Sequence, residues 1–307
     1  MELAAKLIRE NKRTQSSFLD LGKCNLEYSW PEEILDCDWL EAINFSMAYH
    51  CDYDNENKFT LNKEHNNKFT GNEGFERLQQ LPRLRSLDFG ITGLTNISFL
   101  RHLPRLKLLT LASNPITDIG PIASLKHLTY LNLNGAEFKD MRSLSHLTDL
   151  RYLYLSGNPH TAILPISNLS FLLALKKLKN LEISHSELTD ISSLKELTEL
   201  ESLKLFANKK LSNINGIQNL YNLKKADLSS NNIKDLFPLY SRDVNLGRLE
   251  KLNLERNEIE HLDLCVLNNM LSLKELSMGN NRVRNVPTDI LHYGTIGEIR
   301  RYLRSNG

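Results

Sequence analysis

Apolar residues return along this chain with two superposed rhythms. Over short stretches they alternate with polar residues, which is the period of a half-buried strand. Over longer stretches the whole alternating block recurs. From Leu84 to Asp149 the chain reads LRSLDFGITGLTNISFLRHLPR, LKLLTLASNPITDIGPIASLKH and LTYLNLNGAEFKDMRSLSHLTD. The blocks start at Leu84, Leu106 and Leu128, and the next at Leu150, a spacing of 22 (106 − 84, 128 − 106, 150 − 128). With each starting leucine numbered 0, the residues at +3, +5 and +10 are apolar in all three blocks. The alternation predicts that +3 and +5 point inward, while +2, +4 and +6 face out. Further starts fall at Leu178, Leu200, Leu223, Leu249 and Leu273.

Position +8 is asparagine at Asn114, Asn158, Asn208, Asn231, Asn257 and Asn281. An amide both donates and accepts, so a buried ladder of these side chains can satisfy the backbone where it leaves the strand. Cys24, Ala48, Thr92, Ala136 and Ser186 fill the same slot with less hydrogen bonding, which predicts a weaker ladder in the first half. A second apolar pattern follows, in Ile116 and Ile119, Leu188 and Ile191, Ile233 and Leu236, and Val283 and Val286, with Asp118, Asp190 and Asp235 before the second member. It predicts a 3-10 or one-turn helix on the return side.

A repeat of this period and pattern is a leucine-rich repeat. The predicted fold is therefore α/β, a leucine-rich repeat solenoid. Its parallel β-sheet lines a concave face, its convex side is short 3-10, helical or irregular, and helical caps close both ends. One domain is expected over 1–307. It divides into a cap helix at 1–15, first repeats at 16–48, an irregular insertion at 49–74, main repeats at 75–290 and a cap helix at 291–307. The insertion is polar, YHCDYDNENKFTLNKEHNNKFTGNEG from Tyr49 to Gly74, and interrupts a spacing of 44 (84 − 40). About six further residues are inserted near His160 to Asn168.

Composition narrows function mainly by exclusion. A net charge of +1 gives no reason to expect nucleic acid or an anionic membrane. No run of 18 apolar residues marks a membrane helix, and MELAAKLIRENKRTQ has no secretory apolar core. Cys24, Cys37, Cys51 and Cys265 show no paired spacing, so reduced thiols in a cytoplasmic protein are the simpler reading. Nucleotide-loop, hydrolase-elbow and metalloprotease motifs are absent. His50, Cys51, Asp52 and Asp54 cluster, but the turn glycine and distal glutamate of a calcium loop are out of register. No enzyme activity, metal or cofactor is expected. The arginines from Arg282 to Arg304 read as the flank of a cap helix.

On such scaffolds function is grafted onto outward strand positions and loops. Leu108, Tyr130 and Tyr152 share one column at +2, with Tyr154 beside them. Glu182, His185, Lys204 and Phe206 follow on later repeats. These eight are the candidate partner-binding residues, because exposed aromatic and apolar side chains anchor protein interfaces. The mixed charge of the last repeats reads as a solvated face.

The repeats resemble bacterial and phosphatase-regulatory short leucine-rich repeats. The flanks AAKLIRENKRTQSSFLDLGKCNL and VPTDILHYGTIGEIRRYL resemble the boundaries of the repeat domain in bacterial Roco (Roc-COR) proteins. Pro287, Ile290, Gly294, Ile299, Tyr302 and Leu303 match the segment that closes the array in that family, where a GTPase follows. The resemblance implies a regulatory or scaffolding role in signalling. The partner would be another protein or an enzyme domain in cis, and the isolated domain a monomer. An internalin-like adhesion module is the alternative, and it would need an export signal and a wall anchor.

Overall fold

The computed structural model describes residues 1–46, 66–158, 163–241 and 244–306. The expected +8 residue Ala48, the His50, Cys51, Asp52 and Asp54 group, and His160 lie outside these ranges. The chain forms two compact units, Met1–Leu155 and Ser156–Gly307.

In the first unit a helix, α1 (Glu2–Thr14), precedes six strands: β1 (Phe18–Asp20), β2 (Ala42–Asn44), β3 (Ser86–Asp88), β4 (Leu108–Thr110), β5 (Tyr130–Asn132) and β6 (Tyr152–Tyr154). In the second, β7 (Asn180–Glu182), β8 (Ser202–Lys204), β9 (Lys225–Asp227), β10 (Lys251–Asn253) and β11 (Glu275–Ser277) are followed by α3 (Thr288–Tyr293) and α4 (Ile296–Asn306), with α2 (Leu264–Asn268) between β10 and β11. Within each unit, strands pair in parallel with their sequence neighbours. The register places like on like, as in Leu109↔Leu131 and Leu181↔Leu203. Short 3-10 turns such as Ser98–His102, Gly120–Ser124 and Ser192–Glu196 carry the chain back. This is the leucine-rich repeat solenoid that the pattern predicts.

The core is made of the +3, +5 and +10 residues. Leu109, Leu111, Leu131, Leu133, Leu203 and Leu205 are fully buried. In the first unit phenylalanines thicken it: Phe89 stacks on Phe45 with centroids 4.9 Å apart, and Phe75 meets Phe89 edge-on at 4.9 Å. Such ring pairs add about 1 kcal/mol each beyond the area they bury.

The asparagine ladder forms as the amide chemistry requires. Asn114 Oδ1 accepts from the Thr92 and Leu94 N–H groups, and its Nδ2 donates to the Phe89 and Leu111 carbonyls. The second repeat uses Asn67 instead of a residue directly after the strand. Its Oδ1 accepts from Leu26 N–H, and Nδ2 donates to Leu21 and Phe45 carbonyls. β2 pairs directly with β3, so residues 40–83 are one repeat that resumes at Asn67, before the expected end of the insertion at 74. Phe69 is buried and Phe75 opens the following 3-10 turn.

Two features were hidden in the sequence. Residue +7 adopts left-handed backbone at Ile91, Ser113, Gly135, His185, Ala207, Ser230, Arg256 and Asn280, with φ from 53° to 73°. Only one of these is glycine, so composition does not announce the turn. The aspartates before the second apolar member also have a role. Asp118, Asp190 and Asp235 accept from N–H groups two residues on, at Gly120, Ser192 and Phe237, and so start each 3-10 turn.

Candidate functional site

The outward face of the strands has its own structural rule at +4. Asp20, Asn44, Asp88 and Asn132 in the first unit, and Asp227 and Asn253 in the second, each accept from the N–H of residue +6. These Asx turns bend the chain out of each three-residue strand. Side chains at this offset are therefore largely committed to the fold. Tyr154, Glu182 and Lys204 also stand at +4 but lack this Asx chemistry, and all three are candidate binding residues.

In the first unit the predicted exposed column needs correction. Tyr130 is 8% exposed, and Leu108, Tyr152 and Tyr154 are half-buried. Tyr130 lies beneath the others because both later rings close over it. Its centroid is 6.1 Å from Tyr152 and 5.4 Å from Tyr154, both tilted. Tyr130 thus supports the pair, and Tyr152 and Tyr154 present the accessible surface.

In the second unit Glu182, His185, Lys204 and Phe206 form two local pairs. Lys204 Nζ stands 3.9 Å from Glu182 Oε2, while Glu182 Oε1 accepts from Ser156 Oγ at 2.8 Å. His185 meets Phe206 edge-on at 5.4 Å, and its left-handed backbone (φ 53°) puts its side chain beside that ring. Ser184, in the same strand segment, is fully buried, and its hydroxyl has no hydrogen-bond partner among the described residues. Ser46 and Ser156, at the same +6 offset, bond the +4 acid of the next repeat; Lys204 stands there for Ser184 and cannot accept.

The first unit also holds a carboxyl that sequence reasoning passed over. Burial drives the Asp88 pKa up to about 7, against the hydrogen bonds from Gly90 N–H and Ser46, with Asp20 adding to the rise. The +1 residues of the second unit form ion pairs between neighbouring repeats. Glu201 sits between Lys179 at 3.1 Å and Lys224 at 2.7 Å, and Glu250 pairs with Lys274 at 2.9 Å. Among the described residues no group of three or more potential metal ligands converges.

The motif at the C-terminal flank has a structural account. Pro287 precedes α3, Gly294 ends it, and Ile299 and Leu303 are buried faces of α4. A Cβ on Gly294 would lie 2.5 Å from the Ile290 carbonyl oxygen, so only glycine fits.

A leucine-rich repeat family model matches residues 104–159. No curated protein matches the chain. Among solved structures, an internalin (inlF) from Listeria monocytogenes is similar at 25% identity and TM-score 0.69, covering 91% of this chain and 82% of that one. Internalin C2 from Listeria monocytogenes is 24% identical, with TM-score 0.55 over 69% of this chain and 80% of its own. The receptor kinase HAESA of Arabidopsis, solved with the peptide hormone IDA and the co-receptor SERK1, is 23% identical with TM-score 0.63, over 88% of this chain and 47% of that one.

Proposed function

This chain is built of leucine-rich repeats, and we propose that it is a non-catalytic module that binds another protein on the outward, concave face of its strands. The observation that carries the reading is the tyrosine group of the first unit. Tyr152 and Tyr154 are half-exposed yet held against Tyr130. Rings fixed before contact lose little entropy on binding, which is what makes an anchor efficient. Leu108 extends the group, and Glu182, Lys204, His185 and Phe206 supply a second contact region with charge and an aromatic pair. HAESA, in complex with a peptide and a protein co-receptor, supports a protein partner for this fold.

The same reading makes the protein a cytoplasmic scaffold or recognition element in signalling, monomeric alone, with neither nucleic acid nor membrane as partner. The Roco-like flanks favour a partner enzyme domain in cis. A second reading, an adhesion module, is favoured by the likeness to inlF.

The test is affinity capture with the wild type and the Tyr152→Ala/Tyr154→Ala variant. Loss of a captured protein, at a melting temperature within a few degrees of wild type, is the expected result. Equal capture by both would sink the choice of patch.

A further inference from the structure

The two terminal strands are closed differently. At β1, Asn11 of α1 donates to the Ser16 carbonyl at 3.1 Å and the Phe18 carbonyl at 2.9 Å, and accepts from Trp39 Nε1 at 2.9 Å. The cap helix thereby satisfies edge groups that would otherwise await a neighbour.

No such device covers β11. The earlier rungs from β8 to β11 share one pattern. The +1 carbonyl accepts from the +1 and +2 N–H groups of the next strand, as Glu250 does from Lys274 and Glu275 at 2.8 and 3.0 Å. The +5 and +7 N–H groups donate to the next strand's +4 and +6 carbonyls, as Leu254 and Arg256 do to Ser277 and Gly279, both at 2.8 Å. On β11 the matching groups are the Lys274 carbonyl and the Met278 and Asn280 N–H groups. None has a backbone partner among the described residues.

The apolar pattern agrees. Every earlier +3 residue of this unit is buried, at Leu181, Leu203, Ala226 and Leu252, whereas Leu276 is half-exposed. The terminal cap lies elsewhere: Arg300 of α4 donates to the Leu267 and Met270 carbonyls at the end of α2.

We propose that β11 is a docking edge for an extended segment of a partner protein, paired in parallel and reading acidic, basic, aliphatic, any, aliphatic. The order follows from charge complementarity. The +1 column alternates Lys179, Glu201, Lys224, Glu250, Lys274, with ion pairs at Lys179–Glu201, Lys224–Glu201 and Lys274–Glu250, so an acid belongs opposite Lys274. At +2, Glu275 pairs with Lys251 at 2.7 Å, so a base belongs on its open side. An aliphatic residue opposite Leu276 would cover its half-exposed side chain, and one opposite the buried Met278 would continue the apolar +5 column. Main-chain bonds supply affinity in such strand addition, and the alternate side chains supply specificity.

The probe is a peptide with the sequence of residues 248–256, RLEKLNLER, added to the full chain and read by amide hydrogen exchange. Exchange at Met278 and Asn280 is expected to slow about tenfold or more. The charge-swapped peptide RLKELNLER protects them less, and Lys274→Glu/Glu275→Lys reverses the preference. Tyr152→Ala/Tyr154→Ala leaves peptide protection intact, which separates this edge from the strand-face site. Unchanged exchange with RLEKLNLER, equal protection by both peptides, or self-association that protects these amides without peptide would each overturn the proposal.

Discussion

Asn208 shows how much one side chain can hold. It is fully buried, accepts from Ser186 N–H at 2.9 Å and Ser186 Oγ at 2.7 Å, and donates to the Ile183 and Leu205 carbonyls at 2.8 and 2.9 Å. Alanine there leaves several buried groups unpaired, each costing ~1 kcal/mol or more. Asn208→Ala should therefore lower unfolding stability by about 3 kcal/mol in urea titration. The same change at Asn281, itself only half-buried, should cost less than half of that. Asp88 acts in the opposite sense. Its folded pKa, about 7, lies above the ordinary carboxyl value, so between those limits the folded state binds more protons than the unfolded one. Stability is thus lost as pH rises from about 4 to 7. Asparagine keeps the bond to Gly90 N–H without the charge, as Asn132 does for Asn134. Asp88→Asn should raise the melting temperature at pH 8 and lose that advantage near pH 4. An equal gain at both pH values would remove buried charge as the cause.

The strand-exit turn is the element that sets what the outward face can offer. Thr110 holds the +4 place on β4 without the Asx turn made by Asp88 and Asn132 on the flanking strands. Thr110→Asn offers an acceptor to Ala112 N–H, and buried Asn44 and Asn132 show that the column has room. Stabilisation of about 1 kcal/mol is expected, read as a higher urea midpoint at unchanged slope. These turns also explain how far the sequence was legible. Leucine spacing carried the strands, the core and the ladder, because burial imposes a strict period. It did not reveal that Asp20, Asn44, Asp88 and Asn132 serve the backbone, since polar side chains at outward positions look the same whether they bond the chain or face a partner. Tyr130 was misplaced for a related reason: alternation gives the side of the sheet, whereas exposure depends on how neighbouring rings fold over it. Asn67 was hidden because an insertion carries the ladder residue away from its strand.

Each of the two compact units has its own core, and repeat arrays are stabilised by near-neighbour contacts rather than by one central core. Damage should then act locally. Both tryptophans, Trp30 and Trp39, belong to the first unit, where the Trp30 ring stacks on Phe75 at 5.8 Å and Trp39 bonds Asn11. Tryptophan emission therefore reports on the first unit alone, and far-ultraviolet circular dichroism on all the strands. Asn208→Ala weakens the second unit, so it should move the dichroism transition to lower urea and leave the emission transition behind. Asn114→Ala, in the first unit, should shift the emission transition at least as far as the dichroism. If both probes move together in both variants, the array unfolds as one cooperative block, and local stability gives way to two-state behaviour.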